Sequence, residues 1–117
     1  MTNETAGDDP RWQMQTCRVL EEVRMERDRQ RVDKGYTRTR DDGYAPGALC
    51  RAGCAHAYGA AMELEGRKPT RSYLRFLWPW DMAAFKAHPA RRALIVACAL
   101  IVAEIEKLDR GAERSKS

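Results

Sequence analysis

Carboxylates are the first residues whose types and spacing suggest chemistry. Glu22 and Glu26 stand one helical turn apart, and Asp41 and Asp42 sit together in a glycine-rich stretch. Glu104, Glu106 and Asp109 follow a long apolar run. Mg²⁺ requires several oxygen ligands in near-octahedral geometry, and once held it can steady a phosphate or activate water. Such a site would draw on Glu22, Glu26, Glu104 and Asp109 as its catalytic carboxylates. Helical glutamates near arginine serve equally well as solvated ion-pair partners, and "EEVRMERDRQR" (21–31) offers arginines throughout. Glu104, between Leu100 and Leu108 on a partly apolar face, is expected to be partly buried and paired.

Thiols and imidazoles give less. Cys50 and Cys54 share one helix face, and folding could bring Cys17 and Cys98 near them. Zinc needs four ligands in a tetrahedron, and the usual C-x-x-C knuckle is absent, so the cysteines are expected to be small core residues. His56 and His88 lack a neighbouring serine or cysteine that would form a nucleophile–base pair. The expectation is no metal, no cofactor and no catalytic group.

"GRKPTRSYLRFLWPW" (66–80) interleaves Arg67, Lys68, Arg71 and Arg75 with Tyr73, Phe76, Trp78 and Trp80. Basic side chains neutralise phosphate and flat rings stack on bases, so the composition suits an anionic partner. Residues 66–92 carry seven Lys or Arg against Asp81 alone, more than the whole net charge of +4. A long connection also needs anchors on the core. Phe76 and at least one of Trp78 and Trp80 are therefore expected to dock, with Pro79 stiffening the segment and the arginines outside. The candidate partner-binding residues are Arg67, Lys68, Arg71, Tyr73, Arg75, Trp78 and Trp80.

The elements that must position these groups read as all-α: a three-helix core with a long ordered loop and a short extra helix between helices 2 and 3. At 117 residues, 44% hydrophobic and 32% charged, the chain suits one domain, 10–111, between disordered tails 1–9 and 112–117. Asp8 and Asp9 before Pro10 signal a helix start. That helix should reach about Lys34 and stop at Gly35, with Trp12, Val19, Leu20 and Val23 as its apolar stripe. Its charged run beyond Val23 should project into solvent. A loop over 35–47 precedes a second helix, 46–66, whose alanines and glycines let a neighbour approach closely. No period is clear over 66–80, which reads as loop, and Asp81 can cap a short helix "MAAFKA". In the last helix, Leu94, Cys98, Ile101, Ile105 and Leu108 alternate by four and three residues, an apolar seam that Ile101→Asp should disrupt enough to unfold the protein. Ile95, Val96, Leu100 and Val102 lie off that seam, so neighbours are expected on several sides, and Gly111 should close the helix. The eleven apolar residues Ala93 to Ala103 are too few to span a bilayer. With the polar, acidic opening "MTNETAGDDP", this leads us to expect a cytoplasmic protein with reduced thiols and no membrane contact.

Several stretches together resemble a group of small helical proteins encoded by phages and prophages. They are "ERDRQ" (26–30), "GY" (35–36), "DD" (41–42), "GALCRAGCAHAY" (47–58), "WPW" (78–80) and "RRALIVACALIVAEIEKLDR" (91–110). Many such proteins have a glutamate where this chain has Ala48. The resemblance implies accessory biology in the host cytoplasm: inhibitor-like binding of a host or phage macromolecule, such as a defence-system or replication nucleoprotein component. A homodimer would fit. "EKLD" (106–109) is also similar to the E-x-x-D element of MazG-type all-α nucleotide pyrophosphohydrolases, which implies Mg²⁺-dependent hydrolysis as an alternative. Their companion E-x-x-E element is missing: Arg24 and Met25 follow Glu21 and Glu22 by three residues. Nucleic-acid binding through 66–92 is the other alternative.

Overall fold

A computed structural model describes residues 9–32 and 38–116. In order they form α1 (Pro10–Val32), α2 (Arg38–Asp42), α3 (Ala48–Leu64), α4 (Arg71–Leu77), a 3₁₀ turn (Met82–Ala84) and α5 (Ala90–Lys116). The fold is all-α, with no strand among the described residues.

The largest interface joins α3 to α5, and small residues make it. Ala52, Ala55 and Ala60 of α3 and Ala93, Ala97, Ala99 and Ala103 of α5 are buried. At Gly53 the backbones come so close that an added Cβ would lie 3.0 Å from the Ala97 carbonyl oxygen. The two helices run antiparallel: Ala60 packs with Ala90 and Ala93 at one end, and the Cys50 N–H meets Glu104 at the other. Leu49, Val96, Leu100 and Trp78 fill the centre. The helix α3 starts after Gly47, whose φ of 86° suits glycine and which has no side chain to cap the helix. Glu104 supplies that function from α5, its Oε1 accepting the Cys50 N–H at 3.2 Å. Glu104 is thus half-buried and paired, as its sequence position suggests.

Helix α1 lies along α5, with Val23 against Ile95 and Ala99. The charged run beyond Val23 does not project into solvent: Glu26, Arg27 and Gln30 are buried. Arg27, 3% exposed, donates through NH2 to Asp41 Oδ2 at 2.7 Å and through Nε to Glu106 Oε1 at 2.9 Å. Asp41 is fully buried on α2, and burial pushes its carboxyl up despite the opposing Arg27. Asp42 accepts from Arg110 at 2.8 Å and Arg114 at 3.3 Å. These pairs tie α1, α2 and α5 together and explain why "ERDRQ" and "DD" need their charges.

Other expectations are corrected. The stretch read as loop over 35–47 contains α2, held by those ion pairs. The stretch read as loop over 66–80 contains α4, whose period is short but present: Leu74 and Leu77 face the core, while Tyr73 and Phe76 are exposed. The 3₁₀ turn does begin with Asp81, whose carboxylate accepts the Ala83 N–H at 3.0 Å. Gly111 does not close α5, which continues through the segment read as a disordered tail. A helical glycine costs only about 1 kcal/mol, and the Arg110 and Arg114 pairs with Asp42 straddle it. The expected stop at Gly35 and the tail 1–8 lie outside the described residues. Asp9 does start α1, accepting the Arg11 N–H at 2.9 Å.

The largest correction concerns α5. Leu94, Cys98, Ile101, Ile105 and Leu108 form its exposed face, not its core. The buried face is Ala93, Ile95, Val96, Ala97, Ala99, Leu100 and Ala103, because alanine, not leucine, sets the spacing where helices nearly touch. All four cysteines are exposed as well, contrary to the expected core role.

Two stability outcomes follow. Trp78→Ala should cost about 3–5 kcal/mol in denaturant unfolding, as for other buried large aromatics. Asp41→Ala should also cost about 3–5 kcal/mol, since it leaves the Arg27 guanidinium buried with part of its pairing gone. Unfolding midpoints close to wild type in either variant would contradict the packing described.

Candidate functional site

Helix α4 is held outside the core by one stripe of α3. Arg51 and Tyr58 are seven residues apart and so share a helix face. Arg51 NH2 donates to the Phe76 carbonyl oxygen, and its guanidinium lies 5.1 Å from the Phe76 ring centroid. The Tyr58 hydroxyl accepts the Thr70 N–H at 2.9 Å, which holds its pKa below the usual tyrosine value. Its ring meets Tyr73 edge-on at 4.7 Å. Clamped in this way, α4 presents Tyr73 and Phe76 outward, stacked at 6.1 Å with planes 22° apart.

Basic side chains lie on α4 and in the segment before it. Arg67, Lys68, Arg71 and Arg75 are all exposed. Arg67 pairs with Glu65 at 3.2 Å, while Lys68, Arg71 and Arg75 make no ion pair among the described residues. The expected anchoring by a tryptophan agrees with the fold, and the expected anchoring by Phe76 does not. Phe76, expected as an anchor, is 64% exposed. Trp78, a candidate both for partner binding and for anchoring, is 8% exposed and docks on the core. Its Nε1 donates to the Asp81 carbonyl oxygen at 3.0 Å. Trp80 is half-buried against Tyr44, with ring centroids 4.8 Å apart. Sequence reasoning missed Arg51 and Tyr58, although their seven-residue spacing was visible.

Behind the platform an aromatic chain crosses the molecule. Trp80 meets Trp78 edge-on at 5.1 Å, and Trp78 meets Phe85 at 5.1 Å and His56 at 5.6 Å. His56 stacks on Phe85 at 4.9 Å and lies 5.7 Å from His88. Two cavities flank this chain and share both histidines as walls. The inner one, about 50 Å³, is lined by Glu26, Gln30, Trp78, Trp80 and Lys86 among others. The outer one, about 370 Å³, runs between Leu74, Phe85 and Ala93, with Arg67 and Lys68 beside it. Gln30 Oε1 and His56 Nδ1 are buried without a hydrogen-bond partner among the described residues.

At neutral pH the His56 ring is uncharged. Burial, reinforced by nearby His88 and opposed by Glu26, lowers the His56 pKa to about 4. Its ring neighbours, Trp78, Phe85 and His88, include no nucleophile. Burial pushes the Glu26 carboxyl up, but hydrogen bonds from Arg29 and Arg92 outweigh it and hold the group below the usual carboxylate range. With Gln30 also donating at 3.2 Å, Glu26 is committed to structure.

The four carboxylates considered for Mg²⁺ are not brought together. Glu22 pairs with Arg91, Glu26 with Arg29 and Arg92, and Glu104 with the Cys50 N–H. Asp109 is exposed near the far end of α5. Among the described residues no three His, Cys, Asp or Glu side chains gather as metal ligands would.

The depressed His56 pKa has a pH consequence. Between about pH 6.5 and 4 the unfolded chain binds a proton at this residue that the folded chain does not. The associated stability is present above pH 6.5 and is lost towards pH 4, on the order of 3 kcal/mol. His56→Gln should flatten the pH dependence of unfolding over that window relative to wild type, and parallel profiles would contradict the assignment. Glu104→Ala should cost about 1 kcal/mol through the uncapped α3 terminus, measured by denaturant unfolding.

No family model, no curated protein and no solved structure matches this chain.

Proposed function

We propose that this chain is a non-enzymatic binding protein that occupies a nucleic acid or nucleoprotein partner through α4, in the manner of phage accessory proteins that act by covering a surface. One observation carries this reading. Tyr73 and Phe76 are held side by side outside the core, and Lys68, Arg71 and Arg75 stand nearby without acidic partners among the described residues. Core packing does not require two exposed rings there, whereas a single strand uses both features, with rings stacking on bases and cations neutralising phosphates. The clamp from Arg51 and Tyr58 fixes the platform in advance, which lowers the ordering cost of binding.

Anisotropy of labelled single-stranded oligonucleotides tests the proposal. Changing Arg67, Lys68, Arg71 and Arg75 to alanine should weaken binding at least about tenfold and flatten its salt dependence, with thermal stability nearly unchanged. Tyr73→Ala combined with Phe76→Ala should weaken binding by about 1–3 kcal/mol per stacked base lost. Capture of a partner from host lysate, with and without nuclease, separates the alternatives. Unchanged oligonucleotide binding in the quadruple variant, or a captured protein that survives nuclease, would replace this reading with a protein–protein contact.

A further inference from the structure

The exposed face of α5 has the spacing of a buried one. Leu94, Cys98, Ile101, Ile105 and Leu108 recur at intervals of four, three, four and three, the repeat of a coiled-coil seam. Ile101 is 40% and Leu108 67% exposed. Beside this row, α3 carries a second row with the same rhythm, Cys50, Cys54, Ala57 and Ala61, of which both cysteines are exposed. The rows adjoin, because a Cβ added at Gly53 would lie 3.2 Å from Ile101 Cγ1.

We infer that this two-helix face is the interface of a homodimer, in which two copies form a four-helix bundle. Three features select a second copy as the occupant. One row is large and the other small, on antiparallel helices, so a two-fold axis lays the large row of each chain over the small row of the other. No residue of either row is charged, which gives an unrelated partner no electrostatic feature to recognise. The 17 residues of α3 span about 25 Å, and two helices side by side are about 20 Å wide, so a dimer would bury about 1,000 Å² in total, the threshold size of a specific interface. The stripe of α3 that clamps α4, Arg51 and Tyr58, faces a different side of that helix, so dimer formation and partner binding use separate surfaces.

Sedimentation equilibrium across a range of concentrations tests the inference. The wild-type chain should show twice its 13.3 kDa mass. Ile101→Asp and Ile105→Asp should each raise the dissociation constant at least about 100-fold while circular dichroism stays helical. Should either of these fail to fold, Leu108→Glu at the rim should still weaken the dimer about tenfold in a folded chain. Leu20→Glu, on the exposed part of α1, should leave the mass unchanged. A monomer at all concentrations would overturn the proposal, as would a dimer that Leu20→Glu dissociates and the α5 substitutions do not.

Discussion

The contact between Gly53 and the Ala97 carbonyl sets the spacing on which the rest of the molecule depends. With only hydrogen at position 53, α3 and α5 approach until alanines fill the gap, and larger apolar residues are released for other work. Leu49, Val96 and Leu100 then suffice for the centre, with Trp78 closing it from the 78–88 segment. The same closeness brings Glu104 under the first turn of α3, where a carboxylate meets free backbone N–H groups and the positive end of the helix dipole. One missing side chain thereby places a cap, a core and an exposed apolar face.

Buried charge does on the α1 side what alanine does on the α3 side. Val23 alone is a small hydrophobic contribution, and the docking of α1 instead uses Glu26, Arg27 and Gln30. Buried ion pairs add modestly to net stability because desolvation offsets attraction, but they penalise wrong registers heavily. Sliding α1 by one turn along α5 would strand the Arg27 guanidinium away from both Asp41 and Glu106. The register of α1, and with it the wall that Glu26 and Gln30 give the inner cavity, is consequently fixed by polarity more than by area.

The helical class, the span of α3, the partial burial of Glu104 and the anchoring of the WPW segment were legible in the sequence, because alanine and glycine content, helical periodicity and large aromatics act locally. The α5 faces were not. Leucine and isoleucine at seam spacing ordinarily mark a core, and here the closeness of α3 hands that role to the alanines between them. The run 24–32 misled for a related reason: charged residues look solvated until Asp41, from α2, and Glu106 and Arg92, from α5, arrive to pair them. Of the candidate site, the composition of 66–80 was readable. Which rings face outward was not, since that follows from a clamp supplied by Arg51 and Tyr58 on another helix. For Phe76 and Trp78, tertiary contact decided what local pattern left open.

The pairing of α1 with α5 also bears on how the chain is made. Arg27 and Glu106 are 79 residues apart, and Glu22 and Arg91 are 69 apart. A ribosome delivers α1 first, and its partner helix emerges only after nearly all the intervening chain, some seconds later at ordinary elongation rates. Until then Val23 and the Arg27 guanidinium have no native surface to meet, while Trp12, Val19 and Leu20 stay exposed even in the finished fold. The hairpin of α3 and α5 is the more local unit, and assembly in that order would dock α1 and α2 onto it last.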